Sequence, residues 1–230
     1  MQARLVSSVE LAEGVNHFEF EALGVERLDF VPGQFVSFEE QIGGKQITRA
    51  YSLASAPMGN NRFELCLNRV EGGQLSPHLF AMQPGDEIPM SAPLGTFVLR
   101  QPARDSILIA TGTGITPFRS FLHAYLPAGS PPFTLLFGAR YESHILYRAE
   151  FESLANQHPH LRFWPTLSRP GEDWMGRRGH VQAHLEAAVG GRTDVDFYLC
   201  GMKQMVDDVR GTLKSMGFDR KQIRYEKYDS

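Results

Sequence analysis

The run "DSILIATGTGITPF", residues 105–118, narrows the choice of fold more than any other segment. Ile107 to Ala110 are continuously apolar, the pattern of a strand covered on both faces in a parallel sheet. Gly112 and Gly114 then permit a sharp turn, and "TPFRSFLHAYL" has the apolar spacing of a helix. The alternation continues with "FTLLFGAR", "YRAEFESLANQH", "LRFWPTLS", "GHVQAHLEAAV", "VDFYLCG" and "MKQMVDDVRGTLKSMG", and "QIRYEKYD" reads as a last strand. Strands alternating with helices predict a doubly wound α/β domain over residues 103–230.

Residues 1–102 follow another rule. "ARLVSSVEL", "VNHFEFEAL", "GQFVSFEEQ", "ITRAYSLAS" and "RFELCLNRV" are short, β-branched and aromatic, with Gly and Pro between them. Strands at near-regular spacing without long helices predict an antiparallel β-barrel. Pro32-Gly33 reads as a turn between two strands. One helix is expected inside the barrel at "SPHLFAMQPGD", with Ser76 as N-cap and Pro77 at the first helical position. A chain of 230 residues accommodates both domains.

Composition removes several classes of function. The net charge of −3 gives no global basic field for nucleic acid. Two cysteines, Cys66 and Cys200, make neither a disulfide framework nor a four-thiolate cluster, and the eight histidines are scattered, so no metal is expected. "MQARLVSSVELAEG" lacks the apolar core of a signal peptide, and no apolar run approaches the roughly 20 residues that span a bilayer. The expectation is a soluble, cytoplasmic monomer without nucleic-acid or membrane partners.

Two segments carry chemistry. The turn Gly112-Thr113-Gly114 ends a buried strand and opens a helix, whose free N–H groups suit an anion such as a pyrophosphate. The pattern is G-x-G-x-x-P rather than G-x-G-x-x-G, and a tight turn without ligand is the other reading. "RAYS" places a permanent cation, a flat ring and a hydroxyl at Arg49, Tyr51 and Ser52. A flat anionic ligand would use all three, yet a surface ion pair and a barrel-core aromatic explain Arg49 and Tyr51 singly. In isolation Cys200 reads as a small buried hydrophobe and Glu226 as a solvated tail carboxylate.

Taken in order, the segments resemble the ferredoxin–NADP reductase family. The motifs are R-x-Y-S at Arg49-Ala50-Tyr51-Ser52, G-x-x-S at Gly73-Gln74-Leu75-Ser76, G-T-G-x-x-P from Gly112 to Pro117, the C-G step Cys200-Gly201, and Glu226-Lys227-Tyr228 near the end. The resemblance implies a barrel that binds FAD and an α/β domain that binds NADPH or NADH. It implies that Arg49 neutralises the FAD pyrophosphate, that Tyr51 stacks on the isoalloxazine ring and that Ser52 hydrogen-bonds near flavin N5. Ala50 lies in the same strand motif. Leu67 and Asn68 would line the flavin through backbone groups, although many relatives carry lysine at position 68. Gly73, Gln74, Leu75 and Ser76 would hold phosphate through amides. Thr113 would lie where flavin and nicotinamide meet, beside Gly112 and Gly114. Cys200, with Gly201 and Met202, would lie near nicotinamide C4, Glu226 near the hydride-transfer site, and Tyr228 over the flavin face. Ser52, Cys200 and Glu226 are the expected catalytic residues. Arg140, Ser168, Arg169 and Arg177, with Arg178 next to it, would meet a 2′-phosphate and favour NADPH.

The activity implied is that of a flavoprotein oxidoreductase, a ferredoxin/flavodoxin–NAD(P)H reductase. Hydride would pass between NAD(P)H and FAD, and single electrons between FAD and a separate ferredoxin or flavodoxin. The reductase component of a multicomponent oxygenase is the alternative. A non-enzymatic FAD-binding subunit of a larger complex is a second, against which the missing cysteine cluster argues.

Overall fold

The computed structural model describes residues 1–228. The chain divides into two compact units, Met1–Leu99 with Thr116–Ala128, and Arg100–Ile115 with the chain from Gly129 onward. The expected boundary lies after residue 102; the main segment of the first unit ends at Leu99. The helix after the glycine turn, however, packs with the first unit although it follows a strand of the second. Its apolar face explains this: Phe118 and Phe121 lie 6.0 and 6.1 Å, centroid to centroid, from Phe97.

In the first unit, strands β1 (Gln2–Ala12), β2 (Val15–Leu23), β3 (Phe35–Ile42), β4 (Lys45–Ser52), β5 (Arg62–Asn68) and β6 (Glu87–Pro89) pair antiparallel. They form a sheet in the order β5-β2-β1-β6 and a hairpin β3-β4. Single bridges Phe38–Met90 and Leu53–Leu65 join the hairpin to both edges of the sheet and close the barrel. Alternation along β2 turns Phe18, Phe20 and Ala22 inward, and along β5 Phe63, Leu65 and Leu67. The short β6, bounded by Pro89, carries no alternating run and was not legible as a strand.

The turn at Pro32-Gly33 forms as expected, with the Gln34 amide donating to the Val31 carbonyl at 3.0 Å. Only β3 follows it; the segment before it is irregular. Gly33 has φ of +93°, and a Cβ there would lie 2.0 Å from the Phe97 carbonyl oxygen. Any other residue would break both the turn and the packing.

The second unit holds a parallel sheet in the order β10-β9-β8-β7-β11-β12. Its strands are β7 (Ser106–Thr111), β8 (Phe133–Ala139), β9 (Leu161–Leu167), β10 (Arg177–Arg178), β11 (Asp196–Met202) and β12 (Ile223–Tyr228). The helices are α1 (Leu75–Ala81) in the barrel, then α2 (Thr116–Tyr125), α3 (Arg148–Gln157), α4 (Leu185–Val189) and α5 (Lys203–Ser215). The two-residue β10 is an addition to the sequence reading. In α5, Met205, Val206, Val209 and Leu213 form the buried stripe that covers one sheet face. Among the described residues no helix is long and apolar enough to cross a membrane, and no cluster of His, Cys, Asp or Glu could hold a metal.

Candidate active site

On β4, Arg49 and Ala50 are exposed, Tyr51 is half-buried and Ser52 is buried. Pairing of β3 with β4 sets Val36 opposite Tyr51, and the Tyr51 ring lies 5.8 Å from that of Phe38. One face of the ring therefore packs on the barrel. Burial pushes the Tyr51 phenol up to about 12, against the opposing charge of Arg49, so the ring stays neutral. The Arg49 guanidinium donates to the neighbouring Thr48 carbonyl at 2.8 Å. Among the described residues it meets no carboxylate.

The barrel helix starts earlier than its sequence suggests. Gln74 is the N-cap and α1 runs from Leu75, so Pro77 is the third helical residue rather than the first. The reason is the core: Leu75 and Leu79, four residues apart, are both buried and must share one helix face. Ser76 is not a cap. Its Oγ accepts from the Val70 amide at 2.9 Å and closes the Val70–Gly73 turn, where the Gly73 amide reaches the Val70 carbonyl at 3.0 Å. The Leu67 and Leu75 side chains belong to the barrel core, which leaves only their backbone to a ligand; Asn68, Gly73 and Gln74 are wholly or partly exposed.

In the second unit, neighbouring strands bring the late motifs to the carboxyl end of the sheet. Cys200 is in register with Ala110 of β7 on one side and Glu226 of β12 on the other, and Met202 with Tyr228. The Cys200 side chain is fully buried. Burial first, and the Glu226 charge second, push its thiol well up; a hydrogen bond from Tyr228 opposes them. It is not a nucleophile poised for attack. Burial also lifts Glu226 to about 7.

The two glycines of the turn do different things. Gly112 has φ of +54° and faces open space, with nothing within 4 Å of a Cβ built there. Gly114 is buried, and its Cβ would lie 2.2 Å from the Cys200 carbonyl oxygen. Gly201 packs as tightly, its Cβ 2.5 Å from Thr111 Oγ1. That buried hydroxyl finds no hydrogen-bond partner among the described residues. Thr113 and Met202 are half-buried and exposed, respectively.

The candidate phosphate cations separate into two groups. Arg140 and Arg169 are exposed just beyond β8 and β9, and their backbones are tied, with the Arg169 amide 2.9 Å from the Arg140 carbonyl. Ser168 lies beside them, its amide 3.0 Å from the Ala139 carbonyl. Arg177 instead sits 3.7 Å above the Trp164 ring, and burial lowers its pKa from the usual value. Arg178 donates to the carbonyls of Gly171, Glu172 and Trp174 and shapes the loop before β10.

These features fit two flat, anionic cofactors. In the first unit they are a cation that meets no carboxylate among the described residues, a neutral half-buried ring and a hydroxyl-closed turn. In the second they are an open glycine, a hydroxyl without a partner among the described residues and exposed arginines at a strand-end crevice.

Residues 2–99 match the family described as oxidoreductase FAD-binding domain, and residues 108–211 the one described as oxidoreductase NAD-binding domain. The chain is 40% identical, over a 238-residue alignment, to ferredoxin–NADP reductase B of Sorangium cellulosum, covering 99% of this chain and 97% of that one. The chain belongs to the ferredoxin–NADP reductase family. It is a flavoprotein oxidoreductase with FAD and a pyridine nucleotide as cofactors. It is 28% identical to the toluate 1,2-dioxygenase electron transfer component of Pseudomonas putida, covering 99% of this chain and 67% of that longer one. The fold is also that of the flavohem-like FAD/NAD-binding domain of nitric oxide dioxygenase from Vibrio cholerae, with a TM-score of 0.88 at 23% identity over 99% and 98% of the two chains.

The sequence reading passed over Thr111, although a hydroxyl closing an all-apolar strand was a visible signal. It also passed over Thr116, Arg119 and Ser120, polar residues at i, i+3 and i+4 of an otherwise apolar helix. Each makes a hydrogen bond to a barrel carbonyl.

Proposed function

We propose that this family member passes electrons between NAD(P)H and a separate one-electron carrier of the ferredoxin or flavodoxin type. In this reading Arg49 meets the FAD pyrophosphate, Tyr51 supports the flavin ring, and Ser52 offers a hydrogen bond near N5. The backbone of Leu67 and Asn68, and the amides of Gly73 to Ser76, hold the rest of FAD. The pyridine nucleotide takes the carboxyl end of the parallel sheet, where Gly112, Thr113, Gly114, Gly201 and Met202 shape the crevice. Arg140, Ser168 and Arg169 await a 2′-phosphate. FAD, when bound, supplies the exchange between two-electron and one-electron transfer.

The observation that supports this best is the alignment of Ala110, Cys200 and Glu226 across β7, β11 and β12. It gathers three distant motifs at one strand-end crevice, the place where open α/β sheets bind ligands. There Cys200 supplies a dry, un-ionised wall and Glu226, with a pKa of about 7, holds or releases a proton near neutrality. Tyr228, at the end of β12, hydrogen-bonds the thiol. Service to an oxygenase rather than to general ferredoxin metabolism is the second reading, favoured by the similarity to a dioxygenase electron transfer component. A cytoplasmic monomer is the expected state.

The test is an anaerobic titration of purified protein. Flavin bands should be visible at once and should bleach with NADPH or NADH. Reoxidation by a ferredoxin should follow. A colourless protein that gains no flavin from added FAD would overturn the reading.

A further inference from the structure

We infer that one face of α2 is a clamp that positions the flavin-holding strands, with Thr116, Arg119 and Ser120 as positioning residues. The inference rests on the reading that residues 49–52 and 67–68 hold FAD. The contacts it is argued from lie within the first unit.

Thr116 Oγ1 donates to the Cys66 carbonyl at 3.2 Å, one residue before Leu67. Arg119 Nη1 donates to the Ala54 carbonyl at 3.0 Å, and Ser120 Oγ to the Ser55 carbonyl at 2.6 Å, just after Ser52. Residues 116, 119 and 120 share a helix face, so a single rigid element holds both segments. Thr116 and Ser120 are 1% and 0% exposed, which means that water cannot replace their hydrogen bonds. Arg119 is also paired with Glu64 of β5 at 2.5 Å, with both side chains mostly buried.

The far side of the segment is fastened as well. The Leu53 amide donates to the Gln34 carbonyl at 2.9 Å and the Ala54 amide to the Glu64 carbonyl at 2.7 Å. Ser55 Oγ accepts from the Glu64 amide at 3.1 Å. The amides of Leu53 and Ala54 and the carbonyls of Ala54 and Ser55 are thus all fixed. The stretch after "RAYS" is held far more completely than a surface connection requires. Such over-determination is what a cofactor edge needs, since a small displacement of a supporting group weakens its contacts. A second consequence follows from the chain itself: α2 starts directly after the Gly112–Ile115 turn. The residue that ends the nucleotide turn is therefore covalently joined to the helix that fixes the flavin edge.

The experiment compares Thr116→Val, which removes only the hydroxyl hydrogen bond, Thr116→Ser, which keeps it, and Ser120→Ala. FAD dissociation is followed by flavin fluorescence, unfolding is measured at saturating FAD, and the visible flavin bands are recorded. Thr116→Val and Ser120→Ala should weaken FAD retention roughly three- to tenfold, the effect of about one net hydrogen bond. They should also shift the flavin bands, and Thr116→Ser should behave as the parent. Loss of thermal stability with unchanged FAD dissociation and unchanged bands would reduce these residues to ordinary packing and overturn the proposal. Arg49→Ala separates this failure from a wrong reading of the site. If Arg49→Ala releases FAD while the α2 variants do not, only the clamp fails; if Arg49→Ala also keeps FAD, the flavin assignment fails and the clamp with it.

Discussion

At the residue scale, Tyr51 and Glu226 give opposite kinds of information. Tyr51 is neutral at any working pH because burial lifts its phenol to about 12. Its contribution is its face, so Tyr51→Phe should keep FAD and Tyr51→Ala should lose roughly two- to tenfold in affinity, the scale of one aromatic contact. Equal retention by both variants, measured by flavin fluorescence, would show that the ring does not support the cofactor. Glu226 titrates near neutrality. Its pKa rises from 4.5 to about 7 through burial, so between those values the folded state binds more protons than the unfolded chain. Stability supplied by the neutral carboxyl is therefore lost as pH rises from the unfolded value through the folded one. Glu226→Gln removes this dependence: unfolding should show the variant gaining on the parent between about pH 5 and about pH 8. Parallel stability curves would mean that Glu226 is solvated.

At the element scale, the G-T-G turn was legible as a strand–turn–helix, but the division of labour between its glycines was not. Spacing says that two glycines are present; only packing says which one meets a neighbour. Gly112 faces open space, so Gly112→Ala should cost about 1–2 kcal/mol of backbone strain and chiefly raise the KM for pyridine nucleotide. Gly114 abuts the Cys200 main chain, which cannot yield as a flexible side chain would. Gly114→Ala should therefore cost stability first, about 1–3 kcal/mol or more, by overpacking the turn against β11. Thermal unfolding and nucleotide KM measured on both variants separate the two; an order reversed in stability would contradict the packing. The same contrast explains where sequence reading stopped. Alternation in β2 and β5 and the apolar run of β7 showed themselves because burial repeats with the strand period. The two-residue β10 and the hydrogen bonds made by the polar face of α2 depend on distant partners such as Thr166 and Ser55, which no local pattern names.

At the scale of the whole molecule, the choice of nucleotide is a question of charge. The chain is acidic overall, with a net charge of −3, so any preference for the extra phosphate of NADPH must come from a local concentration of cations. Four arginines were candidates, and the structure sorts them. Arg177 is committed to the Trp164 ring and Arg178 to three carbonyls of its own loop. Arg140 and Arg169 remain exposed at the ends of adjacent strands, held at neighbouring positions by the hydrogen bond between their backbones, with Ser168 beside them. A pair fixed in this way would meet a phosphate without first losing backbone freedom, and each charge-assisted contact would contribute about 1.5–3 kcal/mol, or roughly ten- to a hundredfold in affinity. Arg169→Ala should lose that much in kcat/KM for NADPH and almost nothing for NADH. Arg177→Ala should affect both nucleotides alike, because its loss loosens the loop rather than removing a phosphate contact. The advantage of NADPH in the parent should also shrink as salt rises, since exposed cations are screened over about 8–10 Å at physiological ionic strength. Equal kcat/KM for the two nucleotides at low salt would remove Arg140, Ser168 and Arg169 from the site. It would also turn the reading toward the NADH-linked service of an oxygenase, in which these strand-end arginines meet only solvent.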